Sequence, residues 1–202
     1  MTAAARRGVI ERAATEVFAE RGYQGASIDE IARRSGVTAP VVYDHFTSKL
    51  DLHKCLLECH FAELRAVWRE HFPGDGSIEQ RLARAFDAWF AYVHAHPYAW
   101  SMLFRDTTAD PEVEAVRREV ADQSRAELLP LMAQEPRIQD ALSLADQEAI
   151  ELGWETCRSV LQGLALWWYD HPHVPRERVV TAAMNALWIG LERAVTGETW
   201  QA

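Results

Sequence analysis

The 202-residue sequence has no apolar run approaching the roughly 18 residues that would span a bilayer, and Met1 to Ala5 is too short for a secretory signal. A soluble, cytoplasmic chain with no membrane contact is therefore expected. Glycine (10 residues) and proline (8 residues) are scarce, which argues against a turn-rich or disordered chain. Cysteine is limited to three residues, an odd number that fits reduced thiols rather than a disulfide framework. Basic charge is also short: 21 Lys and Arg stand against 30 Asp and Glu, a net charge of -9 that at first sight disfavours nucleic acid. What the chain has in quantity is apolar residues, at 49%, including eight tryptophans, enough for a sizeable core in one large or two small domains.

The charge is unevenly spread. Residues 1 to 50 carry seven basic and six acidic side chains, a balance of +1, and the other 152 carry fourteen and twenty-four, a balance of -10. Any phosphate-facing surface is therefore expected at the N-terminal end, with an acidic remainder that disfavours wrong orientations. Within that end, Ile10, Ala13, Ala14, Val17 and Phe18 recur at three- and four-residue steps, predicting one amphipathic helix from about Ala3 to Arg21 with Gly22 as its stop. Arg6 and Arg7 lie in or before its first turn, where the helix dipole does not favour cations. A solvated helix end and a phosphate contact are both open to them.

The stretch from Ser27 to Lys49 is the most informative in the chain. Ser27 followed by Glu30 has the spacing of a capping box, in which each side chain satisfies a backbone donor at a helix start. Gly36 falls where a left-handed residue would end that helix, with apolar Val37 after it. Thr38 is placed to cap a second short helix with Val42 and Phe46 on its inner side. Phe18, Ile31, Val37, Val42 and Phe46 would then form a small three-helix core. Two short helices joined through a glycine turn match the helix-turn-helix that places its second helix in a DNA groove. Ser48 and Asp51 repeat the capping pattern and open a fourth helix, with Lys49 in its first turn.

Taken together, Ile10, Ala13-Ala14, Val17-Phe18, Arg21-Gly22-Tyr23, Ala26-Ser27, Ile31-Ala32, Gly36-Val37, Tyr43-Asp44-His45-Phe46, Lys49 and Leu52 closely resemble the DNA-binding region of TetR-family transcriptional regulators. The resemblance implies that Ser27, Tyr43, His45 and Lys49 contact the DNA backbone, and that Thr38, Ala39, Pro40, Val41 and Tyr43 face the bases. The chemistry is compatible, since hydroxyl, imidazole, ammonium and helix N-terminal N–H groups all position phosphate. Ala39, Pro40 and Val41 depart from a polar reading head, because they offer no side-chain hydrogen bond to a base edge. Contact with thymine methyl groups is the direct readout left to them. Asp44 is a second departure, an acid that would repel the backbone unless it faces Arg33 or Arg34. The expected architecture is all-α: a helix-turn-helix domain of three helices over residues 1–46, and a larger helical effector-binding and dimerisation domain over residues 47–202.

Further along, Leu52, Leu56, Cys59, Leu64 and Trp68 mark the inner side of the fourth helix, which Pro73-Gly74 ends. Ser77 with Gln80 opens another helix carrying Leu82, Phe86, Trp89, Phe90 and Val93. A short aromatic segment follows from Pro97 to Arg105, then a loop from Asp106 to Ala109, and Asp110-Pro111 starts a helix with Val113, Val116, Val120, Leu128, Leu129 and Leu131. Trp89, Phe90, Tyr98, Trp100, Phe104, Trp154 and Trp168, with Arg158 as a polar handle, are the residues expected to line an apolar effector pocket. Arg105, Arg117 and Glu155 are further possible handles. Each of the aromatics serves equally as core, and it is the family resemblance that implies a small-molecule effector.

The last two segments concern assembly. Between about residues 145 and 170, Ile150, Trp154, Cys157, Leu161 and Trp168 form one stripe and Gly153, Thr156, Val160, Gly163 and Trp167 a neighbouring one, wider than one packing partner needs. The final helix, about 175–196, carries Ala182, Ala186, Gly190 and Ala194 at four-residue steps, with Val180, Met184, Leu187, Leu191 and Val195 on another side. Such small residues permit close helix approach. The expectation is a homodimer through these two helices, as the resemblance also implies, reading double-stranded DNA with two-fold symmetry. His53, Cys55, Cys59 and His60, and the pair His94 and His96, leave open a metal-assisted enzyme as the alternative. No closed zinc pattern, HExxH or phosphate loop is present, so no metal, cofactor or catalytic residue is assigned.

Overall fold

The computed structural model describes residues 2–105, 110–133 and 147–195, with side chains described except at 132, 133, 147–150 and 190–195. The predicted loop at Asp106 to Ala109 and the side chains of Ile150, Gly190, Leu191, Ala194 and Val195 lie outside the described residues. Among those described, the chain is all-α, with nine helices: α1 Ala3–Gly25, α2 Ile28–Ser35, α3 Ala39–Tyr43, α4 Lys49–His71, α5 Ile78–Ala95, α6 Pro97–Phe104, α7 Pro111–Ala133, α8 Gln147–Tyr169 and α9 Arg176–Val195. They fall into two compact units, one of Met1–Glu63 with His96–Asp122 and one of Leu64–Ala95 with Gln123–Ala202.

In the first unit, α1 buries Ile10, Ala14, Val17 and Phe18 completely, the face its apolar spacing predicts. Gly22 interrupts the helix with φ 67°, a left-handed conformation that costs glycine little, and a last turn continues to Gly25. Ile31, Val42, Phe46, Leu52 and Leu57 complete the core of the first helices, and Trp100, Met102 and Leu103 of α6 are buried in the same unit. Val37, expected in that core, is only half-buried, and its N–H closes the turn onto the Ala32 carbonyl. Cys59, expected on the inner side of α4, is exposed. His53 and Leu57 take the buried positions, since the inward stripe runs one residue ahead of it around the helix.

The second unit is built on aromatics. Leu82, Phe86, Trp89, Phe90 and Val93 of α5 are all buried, as their periodicity predicts. Trp68 meets the edge of Phe86 at 5.8 Å and Trp168 meets Phe90 at 6.0 Å. Among the described side chains, the buried residues are Leu161, Ala165 and Trp168 on α8 and Val179 and Ala183 on α9. The Trp168 indole N–H donates to the carbonyl of Val174 at 2.8 Å, so the ring fixes the α8–α9 corner as well as filling the core. Ser77 and Gln80 form a reciprocal capping box at the start of α5, at 3.3 and 3.1 Å.

Candidate nucleic-acid interface

Ser27 caps α2, its hydroxyl accepting the Glu30 N–H at 3.2 Å. The reciprocal half of the predicted box is absent. The Glu30 carboxylate instead receives Arg34 at 3.0 Å and Arg33 at 3.2 Å, with Arg21 at 3.5 Å. A carboxylate with three guanidinium groups in reach forms charge-assisted bonds in preference to a neutral amide contact. Arg34 also grips Glu20 of α1 through both terminal nitrogens, at 3.0 and 2.6 Å. That pairing raises the Arg34 pKa and lowers those of Glu20 and Glu30, each chiefly through the shared hydrogen bonds. The i,i+4 spacing of Glu30 and Arg34 was the available signal for this network. It draws Arg33 and Arg34 to Glu30 and Glu20 rather than to Asp44.

The turn after α2 follows the predicted pattern. Gly36 sits at φ 68°, ψ 29°, its N–H donates to the Arg33 carbonyl, and the Val37 N–H returns to Ala32 at 3.0 Å. These are the two bonds of a Schellman turn. Thr38 occupies the N-cap of α3, but its side chain makes no capping bond there, contrary to expectation. Its carbonyl accepts from Val41 and Val42, and Pro40 in the first turn has no N–H to satisfy, so little is left for a hydroxyl to cap.

Within α3 the inward residue is Val42, with Phe46 buried just beyond it. Thr38, Pro40 and Tyr43 are exposed, Tyr43 at 53%, while Ala39, Val41 and His45 are half-buried. Of the residues matched to DNA contact, Ser27, Thr38, Pro40 and Tyr43 are thus exposed and Ala39, Val41 and His45 partly so, and Asp44, Thr47 and Ser48, which are not matched, are exposed beside them. Lys49 is different. Its ammonium donates to the carbonyls of Tyr23 at 2.9 Å and Ala26 at 3.1 Å and lies 4.4 Å from the centre of the Tyr23 ring. Arg7 is likewise engaged inside the unit, with Glu11 at 2.8 Å, Cys55 at 3.0 Å and the Phe46 ring at 4.6 Å.

The residues expected to line an effector pocket fall on both units. Tyr98, Trp100 and Phe104 belong to the first, where Tyr98 is exposed, Trp100 is buried and Phe104 packs on Trp100 and Phe61. Trp89, Phe90, Trp154, Arg158 and Trp168 belong to the second. There Trp89, Phe90 and Trp168 are buried together, and His94 stacks on Trp168 at 5.2 Å. Trp154 is half-buried, and exposed Arg158 pairs with Glu155 and Gln162. A groove of about 530 Å³ in this unit is lined by other residues, among them His71, Asp87 and Glu177. Among the described residues, no group of three or more His, Cys, Asp or Glu is placed to hold a metal. Nor is any described helix long and apolar enough to cross a membrane.

His53 is a residue whose role spacing alone did not reveal. It is fully buried against Phe18 at 4.6 Å and Tyr23 at 5.1 Å, with no hydrogen-bond partner for either ring nitrogen. Burial first, then the charges of Arg117 and Lys49, depress its pKa to about 3, so it is a neutral core ring.

Two short helices around a glycine turn, with Ser27, Tyr43 and His45 left accessible, define a helix-turn-helix DNA-binding protein. Comparison with known proteins identifies its kind. Residues 10–54 match the family described as bacterial regulatory proteins, tetR family, and residues 78–190, more than half of the chain, match the tetracyclin repressor-like C-terminal domain. The chain belongs to the TetR family of DNA-binding transcriptional regulators, which are not enzymes. It is 39% identical over 111 residues to the transcriptional activator FasR of Mycolicibacterium smegmatis, covering 54% of this chain and 51% of FasR. It is 30% identical over 101 residues to the transcriptional repressor KstR2 of Mycobacterium tuberculosis, covering 50% of each. The chain thus matches about half the length of these curated relatives. Its fold is shared with a TetR-like regulator from Rhodococcus sp. RHA1 (TM-score 0.76, 20% identity, 95% of this chain and 98% of that one). It is also shared with FadR of Bacillus subtilis, solved in complex with stearoyl-CoA (TM-score 0.72, 16% identity, 94% and 98%).

Proposed function

We propose that the chain works as a homodimer that represses transcription from a palindromic operator and is released from it by a small, largely apolar or aromatic effector. The observation that carries this reading is the open face of α8 and α9. Leu152, Trp167 and Ile189 are exposed at 68%, 47% and 47%, with Thr156, Gly163, Ala182 and Ala186 also exposed. Large apolar side chains in the open beside small ones are what a facing helix pair from a second copy would cover. One reading helix specifies only a half-site, so the second copy completes the palindrome.

In this reading Ser27, Tyr43 and His45 position the protein on phosphate, and Thr38 to Val41 select sequence by shape and methyl contact. The apolar effector rests on the family and on the stearoyl-CoA bound by FadR of Bacillus subtilis, since Trp89, Phe90 and Trp168 are packed against one another in the core. Such an effector acts only by binding one conformation better than another. Repression asks least of the molecule, since occupying a promoter is enough. The named activity of FasR favours activation as a second reading. Selection of an operator from random duplexes, followed by a reporter driven from it, tests both. Deleting the regulator should raise expression, and a fall would establish activation. Failure to select any sequence, with binding that is only salt-dependent and unspecific, would overturn the operator reading.

A further inference from the structure

The family resemblance reads Lys49 as a phosphate contact, but the side chain already has two partners inside the protein. The last turn of α1 holds no basic residue of its own, and carbonyls at a helix C-terminus receive no N–H from their own helix. The Lys49 ammonium reaches across from α4 to that end, donating to Tyr23 and Ala26 at 2.9 and 3.1 Å while the buried Tyr23 ring lies beneath it. At the start of α4 a cation opposes its own helix dipole, whereas at the end of α1 it complements the dipole it meets. Ala26 is the residue immediately before Ser27, the cap of α2.

We infer that Lys49 is a positioning residue for DNA binding: it clasps the α1–α2 corner to the start of α4 and so holds Ser27 and the first turn of α2 in place for phosphate. This rests on the DNA-binding reading above. Its loss acts through α2, not through a missing ion pair with DNA.

A Lys49→Met chain keeps the aliphatic stem and removes the donors and the charge. Operator affinity should fall about fivefold at every salt concentration, with the slope of log K against log salt unchanged. In the free protein, amide hydrogen exchange at Glu30 and Ile31 should accelerate. Lys49→Arg, which keeps donors and charge, should restore both. A slope shallower by about one unit, with exchange at Glu30 and Ile31 unchanged, would show a direct phosphate contact and overturn the inference. Should Lys49→Met fold poorly, Lys49→Leu also removes the donors and the charge and is read by the same slope and exchange. The exchange experiment needs no DNA, so it decides the clasp even if no operator is found.

Discussion

Tyr43 ends α3 with more than half of its surface in solvent, and nothing in its packing asks for a hydroxyl. If that hydroxyl meets phosphate, Tyr43→Phe should weaken binding by about 1 kcal/mol, roughly fivefold, equally for all sequences and without loss of stability. Titration of the selected operator and of a scrambled duplex would check this. Val41 is only half-buried and has no polar atom, so Val41→Ala should change preference more than overall affinity. Replacing thymine by uracil opposite Ala39 to Val41 should weaken wild-type binding, and equal binding would remove the methyl readout. His53 gives a prediction about stability. Its folded pKa, about 3, lies below the ordinary 6.5, so the unfolded state takes up the proton first. Stability tied to this ring is complete above pH 6.5 and is lost as pH falls towards 3, at about 1.4 kcal/mol per pH unit. Urea melts of wild type and His53→Leu between pH 7.5 and 5 should show a steeper acid loss in the wild type, and parallel profiles would refute it.

At the scale of elements, what was legible in the sequence was what is decided locally. The caps at Ser27, Ser48 and Ser77 and the glycine turn at Gly36 depend on residues three or four apart, and each is present. The apolar stripes of α1 and α5 were legible for the same reason, as both have one dry face. What spacing could not show is competition. Glu30 leaves its box because Arg34, Arg33 and Arg21 converge on it, and Lys49 turns inward because the end of α1, 23 residues away, needs a cation. Arg33 and Arg34 lie within one turn of Glu30 and were within reach of spacing, but the approach of Arg21 and the turn of Lys49 depend on how α1, α2 and α4 pack, which no window of sequence contains. The turn itself offers a clean test. A Cβ at Gly36 would meet no described atom within 4 Å, so Gly36→Ala would be penalised by its left-handed φ of 68° alone. The expected cost is about 1 kcal/mol in a denaturant melt, with Gly36→Asn costing less.

At the scale of the whole molecule, the question is whether the open face of α8 and α9 is covered by a second copy, and Gly163 can answer it. The residue is exposed on α8, and a Cβ there would meet no described atom of its own chain within 4 Å. The first carbon of a side chain therefore has open space at this position, and by helix propensity leucine should stabilise the isolated chain by about 0.8 kcal/mol. In a dimer packed through this face the same side chain would sit where two helices come close, with Trp167 one turn along. Gly163→Leu should then leave a folded chain of 22.9 kDa that sediments as a monomer at concentrations where the wild type is a dimer. It should also bind a single half-site as the wild-type monomer does while losing the tighter binding to the full palindrome. A denaturant melt of the variant, expected to be no weaker than that of the wild type, separates loss of the dimer from loss of the fold. A variant that remains dimeric and binds the palindrome unchanged would place the two-fold contact on another surface.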